Sequence, residues 1–218
     1  MHPLGVAVVG KAEGVVAVEP HPRTFEVLQR NTKNLRNVTL VQTAVAEEES
    51  TAELYDYLMM SASGSLHYDE TLLETQRAGV GSSDVAPRIK EEFPVEKFTV
   101  RTVRIDDLLR EQGIQQIDFV KMDIEGAEIS ALRGMRNTIE RSTNLILVME
   151  YNPQALQAFN LEPLEALNEI VSMGFTDVQI IDDHGQLMTM EITSEKTQHL
   201  TTQLTQNMAV VNLLFSRS

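Results

Sequence analysis

Short apolar runs alternate with segments of helical periodicity along most of this chain. The β-branched run at 15–18 predicts a buried strand, and Pro22 opens a helix that carries Phe25 and Leu28 on one face and ends near Asn31. Further strands are predicted at residues 38–45, 53–58, 98–105, 117–122, 145–149, 178–181 and 210–215. Strands that alternate with helices predict an α/β fold with a mostly parallel sheet covered by helices.

Three further helices are predicted, two from residues typical of helix ends and one from the spacing of apolar residues. Asp106 is expected to cap a short helix that Gly113 ends. Apolar residues recur at helical spacing from 129 to 139. Pro163 suits the first turn of a later helix, which Gly174 stops.

Residues from about 59 to 96 lack both periodicities and are rich in Gly, Ser and Pro. A stretch of this length in a compact domain is either a functional lid or binding loop, or a disordered segment, and both alternatives stay open. No linker or internal repeat divides the remaining pattern. The sequence therefore predicts a single domain over residues 1–218, with this segment as a lid or insertion.

Charge and composition exclude several classes of partner. The chain has 32 acidic and 18 basic residues and a net charge of −14, which repels nucleic-acid phosphates, so we expect no nucleic acid. No apolar run approaches the roughly 18 residues of a membrane span, so we expect no membrane segment. The start of the chain lacks a signal-peptide pattern and the chain has no cysteine, and both features favour a cytoplasmic protein. Homo-oligomerisation stays open.

Acidic residues follow two of the predicted strands, at the sheet edge where parallel α/β folds bind ligands. Glu19 ends the first strand and is placed to accept hydrogen bonds from a ribose diol. Asp123, Glu125 and Glu128 follow the strand at 117–122. Glu128 is assigned by default to the macrodipole of the following helix. Lys121 is expected to snorkel or to pair with one of these carboxylates, not to catalyse.

The most specific motif of the chain is Ile117-Asp118-Phe119-Val120-Lys121-Met122-Asp123-Ile124-Glu125-Gly126-Ala127-Glu128. Supporting runs are Gly14-Val15-Val16-Ala17-Val18-Glu19-Pro20-His21-Pro22, Leu28-Gln29-Arg30-Asn31, Asn37-Val38, Ala44-Val45, Asp106-Asp107-Leu108-Leu109 and Leu132-Arg133-Gly134. Together they resemble the FkbM-type family of S-adenosylmethionine-dependent methyltransferases, whose central motif reads "IDF-K-D-EG-E". The resemblance extends from about Val8 to the last predicted strand.

This resemblance implies a Rossmann-like class I methyltransferase fold, mostly parallel with an antiparallel final strand. It implies methyl transfer from S-adenosylmethionine to an oxygen, often a hydroxyl of a sugar or secondary metabolite, so a small-molecule or glycan acceptor is expected. Asp123 and Glu125 would then position the acceptor or take its proton, and Glu19 would hold the ribose of the cofactor. The other expected contacts are Thr43 and Ala44 near the adenine and Ser65 and His67 near the acceptor, with no metal.

The start of the chain departs from the family pattern. Family members begin with a strand and a "D-GAN-G" loop that holds the methionine end of the cofactor, and no such loop precedes Val15. Residues 10–14 are too few for the crossover of about a dozen residues that parallel neighbours require. We therefore expect residues 4–9 to be the end of the first helix, and the first strand to be encoded before Met1.

Two other functions stay open at this point. A non-catalytic remnant of the fold, acting as a binding or assembly module, would follow from the absence of the cofactor loop. A nicotinamide-dependent oxidoreductase could also use a strand-end acid, but the chain has no G-x-G-x-x-G run. Cofactor binding distinguishes the first alternative from a methyltransferase.

Overall fold

The computed structural model of this protein describes residues 12–57, 64–68, 95–182, 184–207 and 209–217. The chain divides into two compact units, one of Met1–Ala44 with Ser50–Thr102 and the other of Val45–Glu49 with Val103–Ser218. The prediction of a single domain over residues 1–218 is not tested by this division and stays a prediction. The expectations for residues 4–9 and for most of the segment 59–96 lie outside the described residues.

The first unit contains most of the early strands. Its elements are β1 (Val15–Val18), α1 (Pro22–Thr32), β2 (Val38–Val41), β3 (Ala44–Val45), β4 (Ser50–Tyr57) and β5 (Val95–Val103), with β3 and β5 ending just past the boundary between the units. β1 and β2 pair in parallel, as the alternating pattern predicts. β5 lies between β3 and β4 in a second sheet, and β4 and β5 are antiparallel.

The strand predicted at 38–45 is interrupted in the structure. β2 ends at Val41, and Thr43 is buried with its hydroxyl donating to the carbonyl of Arg101 at 2.7 Å. Ala44 then packs with Leu54 and Val100 in a small apolar core. The prediction of a continuous strand was therefore wrong, because β2 pairs with β1 whereas β3 pairs with β5 in a different sheet.

The second unit is a mixed α/β assembly. Its elements are α2 (Ile105–Glu111), β6 (Phe119–Met122), α3 (Glu128–Arg133), α4 (Arg136–Arg141), β7 (Ile146–Tyr151), α5 (Pro153–Ala158), α6 (Pro163–Ser172), β8 (Asp177–Ile181), β9 (Leu187–Thr189), α7 (Ser194–Asn207) and β10 (Val211–Ser216). The sheet order is β6-β7-β10-β8-β9. β6 and β7 are parallel, whereas β10 runs antiparallel to both β7 and β8, and β9 runs antiparallel to β8. The final strand is antiparallel as expected, but this sheet is mixed, not mostly parallel as predicted.

Fully buried apolar side chains from both helices and strands form the core of this unit. They include Ile129, Leu132, Ile139, Leu147, Leu167, Phe175, Leu213 and Phe215. Positions 129, 132 and 139 were predicted from helical spacing, although the structure splits that region into α3 and α4. In the described residues no helix is both long enough and apolar enough to cross a membrane.

The predicted cap of α2 is wrong. Arg104 occupies the N-cap position of α2, and Asp106 lies inside the helix with a buried side chain. Its carboxylate accepts hydrogen bonds from the backbone N–H of Asn137 at 3.2 Å and of Thr138 at 2.8 Å. Asp106 therefore caps the start of α4, a helix that is distant in sequence.

Candidate active site

The parallel pairing of β6 with β7 brings two acidic strand ends to one edge of the sheet. Met122 is the register partner of Met149, so Asp123 and Glu150 follow at equivalent positions. Carboxyl ends of parallel strands form the ligand-binding edge in open α/β sheets. Glu150 was missed by the sequence interpretation, although it closes a predicted strand in the same way as Glu19 and Asp123.

A tight turn after β6 carries Glu125 and Gly126, both with positive φ angles, of 54° and 99°. A Cβ atom on Gly126 would lie 2.7 Å from the carbonyl oxygen of Ala155 and 2.8 Å from Phe159. Only glycine fits this position, because both the left-handed backbone and the close approach of α5 exclude a side chain. The packing of α5 against this turn therefore helps to fix where Glu125 lies.

Glu128 closes the same turn from inside the protein. Its side chain is buried, and Oε1 accepts a hydrogen bond from the backbone N–H of Ile124 at 3.1 Å. Burial raises the pKa of Glu128, partly offset by hydrogen bonds from backbone N–H groups of the turn. These contacts agree with the structural role assigned to Glu128 from the sequence.

Asp123, Glu125 and Glu150 form a cluster, called here the carboxylate cluster. One oxygen of each side chain lies within 4.8 Å of the others. Lys121 Nζ lies 2.9 Å from Asp123 Oδ2, which confirms the pairing expected for this lysine. The cluster therefore holds three carboxylates beside one adjacent ammonium group.

Burial and neighbouring negative charge raise two pKa values in this cluster. The pKa of Glu125 rises to about 7, first because of burial and then because of Glu150, Asp123 and Glu128. The pKa of Glu150 also rises to about 7, through burial and the charges of Asp123 and Glu128, while Lys121 acts in the opposite direction. A carboxylate with a pKa near neutrality is suited to general acid–base chemistry at that pH.

The three oxygens are also close enough together to contact one metal ion, and carboxylates are ligands for divalent cations. Lys121 already supplies positive charge to Asp123. The expectation of no metal stays a prediction.

Glu19 occupies the end of β1 in the first unit. Its backbone N–H donates to the carbonyl of Val41, which extends the pairing of β1 with β2 by one residue. Oε1 accepts a hydrogen bond from the backbone N–H of His21 at 2.7 Å. The described residues give the other oxygen, Oε2, no hydrogen-bond partner, and burial raises the pKa of this carboxyl group. A half-buried carboxylate with one unused oxygen suits the hydroxyl groups of a ribose.

The remaining predicted contacts also lie in the first unit. Thr43 and Ala44 are buried, and a cavity of about 470 Å³ nearby is lined by Pro20 and Gln42 among others. Ser65 pairs with Tyr55 of β4 through two backbone hydrogen bonds, and its hydroxyl accepts from the backbone N–H of His67. The adenine and acceptor roles of these residues stay predictions.

The predicted residues fall into two groups. Asp123 and Glu125 lie together in the second unit, where Glu150 joins them. Glu19, Thr43, Ala44, Ser65 and His67 all belong to the first unit.

The family model of the methyltransferase FkbM domain matches residues 5–186. The chain belongs to the FkbM methyltransferase family. This confirms the resemblance drawn from the central motif and its supporting runs.

Similar proteins carry related names. "Methyltransferase 1" of Beauveria bassiana is 29% identical over 124 residues, which cover 56% of this chain and 48% of that protein. The 2-O-methyltransferase NoeI of Sinorhizobium fredii is 24% identical over 159 residues, covering 70% of this chain and 59% of that protein. The chain thus spans about half of the length of the curated relatives that it matches.

A crystal structure of the methyltransferase FkbM from Methylobacillus flagellatus shares the fold. Its TM-score is 0.50 at 17% identity, and the match covers 97% of this chain and 38% of that one. The α/β fold with mixed sheets is therefore similar to that of an FkbM methyltransferase.

Proposed function

We propose that this chain is an S-adenosylmethionine-dependent methyltransferase that methylates a hydroxyl oxygen of a sugar or secondary metabolite, on a Rossmann-like class I fold. Family membership supports methyl transfer. The name of the Sinorhizobium fredii relative, a 2-O-methyltransferase, supports oxygen as the receiving atom. The observation that carries the proposal is the carboxylate cluster, because a hydroxyl acceptor must lose a proton during transfer.

When bound, S-adenosylmethionine supplies a methyl group on a positively charged sulfur. The acceptor hydroxyl would have to lose its proton during transfer of that methyl group to its oxygen. Glu125, with a pKa near 7, takes that proton, while Asp123 accepts a hydrogen bond that orients the acceptor. Glu150 favours retention of the proton on Glu125 because like charges in close contact resist joint ionisation.

Glu19 binds the ribose of the cofactor through Oε2, the oxygen that the His21 N–H leaves unused. Thr43 and Ala44 would contact the adenine, and Ser65 and His67 would contribute to the acceptor side. The half-buried position of Glu19 favours this role, since a hydrogen bond to a charged group contributes about 1.5–3 kcal/mol.

Two measurements on this chain test the proposal. Calorimetric titration with S-adenosylhomocysteine reports cofactor binding, and Glu19→Ala is expected to weaken it by about tenfold or more. Tritium transfer from methyl-labelled S-adenosylmethionine to monosaccharides, oligosaccharides and hydroxylated aromatic compounds reports the reaction.

The outcomes separate the alternatives. Binding together with labelled product supports the proposal. Complete absence of binding would contradict it and favour a non-catalytic remnant of the fold. Amines and thiols are assayed in the same way as control acceptors. Transfer to these compounds alone would contradict the assignment to oxygen.

A further inference from the structure

A hydrogen bond between the buried Asp56 and His21 anchors the turn that carries Glu19. Asp56 on β4 is 5% exposed, and its Oδ2 lies 3.0 Å from His21 Nε2. His21 follows Glu19 by two residues and donates its backbone N–H to the Glu19 carboxylate. The segment 19–21 is called the Glu19 turn below. A buried carboxylate on one strand is thus connected through one histidine to the candidate ribose ligand.

The hydrogen bonds of the His21 ring indicate its tautomer. Nδ1 accepts a hydrogen bond from the backbone N–H of Thr24 at 3.4 Å, as an N-cap acceptor for α1. A ring nitrogen that accepts carries no proton in the neutral imidazole, so Nε2 carries the proton and donates to Asp56. Both ring nitrogens are therefore engaged, which argues against His21 as a general base.

Further contacts hold both partners of this pair. The His21 ring packs edge-on against Phe98, with ring centroids 4.7 Å apart. Asp56 pairs with Glu96 in the β4–β5 ladder, so its backbone is part of a regular sheet. Arg23, at 3.8 Å, adds positive charge near the Asp56 carboxylate. Asp56 is therefore held in a regular sheet, and its hydrogen bond with His21 anchors the more exposed Glu19 turn.

We propose that Asp56 is a positioning residue for cofactor binding: through His21 it orients the Glu19 carboxylate so that Oε2 meets the ribose diol. This inference rests on the proposed function of Glu19. The His21 N–H holds Oε1 at 2.7 Å, so the direction of Oε2 depends on where the His21 backbone lies. The ring contacts with Asp56, Thr24 and Phe98 determine that backbone position.

The experiment measures the preference of each variant for a complete ribose over a deoxyribose, because a purely structural role of Asp56 would not change that preference. Calorimetry gives the affinity of each variant for S-adenosylhomocysteine and for its 2′-deoxy analogue, which lacks one hydroxyl of the diol. The wild type is expected to prefer the complete ribose by about tenfold. Glu19→Ala should reduce this preference to nearly one. Asp56→Ala should reduce it at least about threefold, because the carboxylate of Glu19 is no longer held in one orientation.

Two conservative variants sharpen the test. Asp56→Asn keeps an oxygen that can accept from His21 Nε2, so it should retain the preference within about twofold. His21→Asn keeps an N-cap side chain and the backbone N–H but does not reach Asp56 as the ring does, so it should behave like Asp56→Ala. Since His21→Asn preserves the cap of α1, it keeps the proposal testable if Asp56→Ala fails to fold.

Phe25→Leu serves as the stability control. The side chain of Phe25 is buried on α1 and makes none of the contacts named above, and the backbone hydrogen bond from Phe25 to His21 is retained in this variant. Phe25→Leu should therefore lower the thermal midpoint and leave the preference unchanged. A wild-type preference in both Asp56→Ala and His21→Asn, with loss in Glu19→Ala, would overturn the positioning role and leave the proposed function intact. No preference in the wild type, or no binding at all, would overturn both the Glu19 assignment and this inference.

Discussion

Asp106 and the carboxylate cluster are two acidic groups of the second unit. Their acidic residues follow strands, but hydrogen-bond donors surround Asp106 whereas the members of the cluster lie beside other acids. Asp106 is 5% exposed and accepts hydrogen bonds from the backbone N–H and side chains of both Asn137 and Thr138. Glu125 is half-buried among other carboxylates, and its burial, followed by the charges of Glu150, Asp123 and Glu128, raises its pKa to about 7. Hydrogen-bond donors therefore occupy both oxygens of Asp106, whereas burial and neighbouring acids favour a proton on Glu125 near neutral pH.

This difference separates a structural acid from a candidate catalytic one. Asp106 is fully used in joining α2 to α4, so no oxygen is left for a ligand. In the carboxylate cluster, three acidic side chains lie close together after the ends of β6 and β7, and two of them have raised pKa values. Groups with perturbed pKa values often belong to functional sites. The following experiments test that contrast, from the largest expected effect to the smallest.

The largest effect is expected for Glu125→Gln on methyl transfer. Removal of a general base typically lowers a rate by about 10²- to 10⁴-fold, equivalent to about 3–5 kcal/mol. Asp123→Asn should also lower the rate by losing orientation of the acceptor, while Glu128→Gln should leave it nearly unchanged. The measurement is initial rate of tritium transfer. If Glu128→Gln abolished transfer and the other two variants retained it, the assigned roles would be wrong.

Asp106→Ala should cause the largest loss of stability. The substitution leaves buried donors of Thr138 and Asn137 without an acceptor and removes the cap of α4, at a cost of about 2–4 kcal/mol. Urea unfolding measures the change in free energy. The matched control is Asp107→Ala, whose more exposed side chain pairs with Arg110, and which should cost less than about 1 kcal/mol. Equal effects of the two substitutions would refute the contrast.

The raised pKa values predict opposite pH dependences of stability and activity. Between pH 4.5 and about 7 the folded protein keeps protons on Glu125 and Glu150 that the unfolded chain has released, so their contribution to stability is lost as pH rises. Over the same range transfer should become faster, because the base must be deprotonated. Solvent screening of these half-exposed groups limits the stability change to roughly 1 kcal/mol each.

Thermal unfolding and transfer rates across this pH range check the prediction. The double variant Glu125→Gln, Glu150→Gln should have a flatter stability profile than the wild type. A wild-type profile in that variant would mean that other groups cause the pH dependence.

The smallest effect is expected for Glu128→Gln on stability. The amide oxygen can still accept from the backbone N–H of Ile124, and burial already disfavours the charge of Glu128, so the expected loss is no more than about 0.3–1 kcal/mol. Thermal midpoints at pH 7 measure it, with Glu128→Ala as the variant that also removes the acceptor. A larger loss in Glu128→Gln than in Glu128→Ala would exclude this explanation.

Local patterns in the sequence predicted several parts of this structure well. The β-branched run 15–18 forms β1, Pro22 begins α1, and Pro163 begins α6 as expected. Lys121 pairs with one of the following carboxylates, as expected; the partner is Asp123, two residues further along the extended chain and therefore on the same face. These features depend on neighbours within a few residues, so the sequence pattern contains the necessary information.

Features that depend on distant partners were not predicted. Asp106 has its partners in α4, and no local signal distinguishes that arrangement from a cap of its own helix. α7 was not predicted from its Thr- and Gln-rich sequence, whose weak apolar periodicity becomes meaningful once Thr197 and Leu204 are buried. In each case tertiary packing outweighs a weak local preference.

The sequence by itself determined the family, the main strands and the acidic turn after β6, because motif, periodicity and glycine conformation are encoded locally. Only the tertiary structure decided which acids lie together. Pairing of β6 with β7 brings Glu150 to Asp123 and Glu125, and the packing of β4 beside α1 brings Asp56 to His21. The pKa and orientation of a carboxyl group depend on the charges and donors within a few ångströms, and folding determines which residues those are.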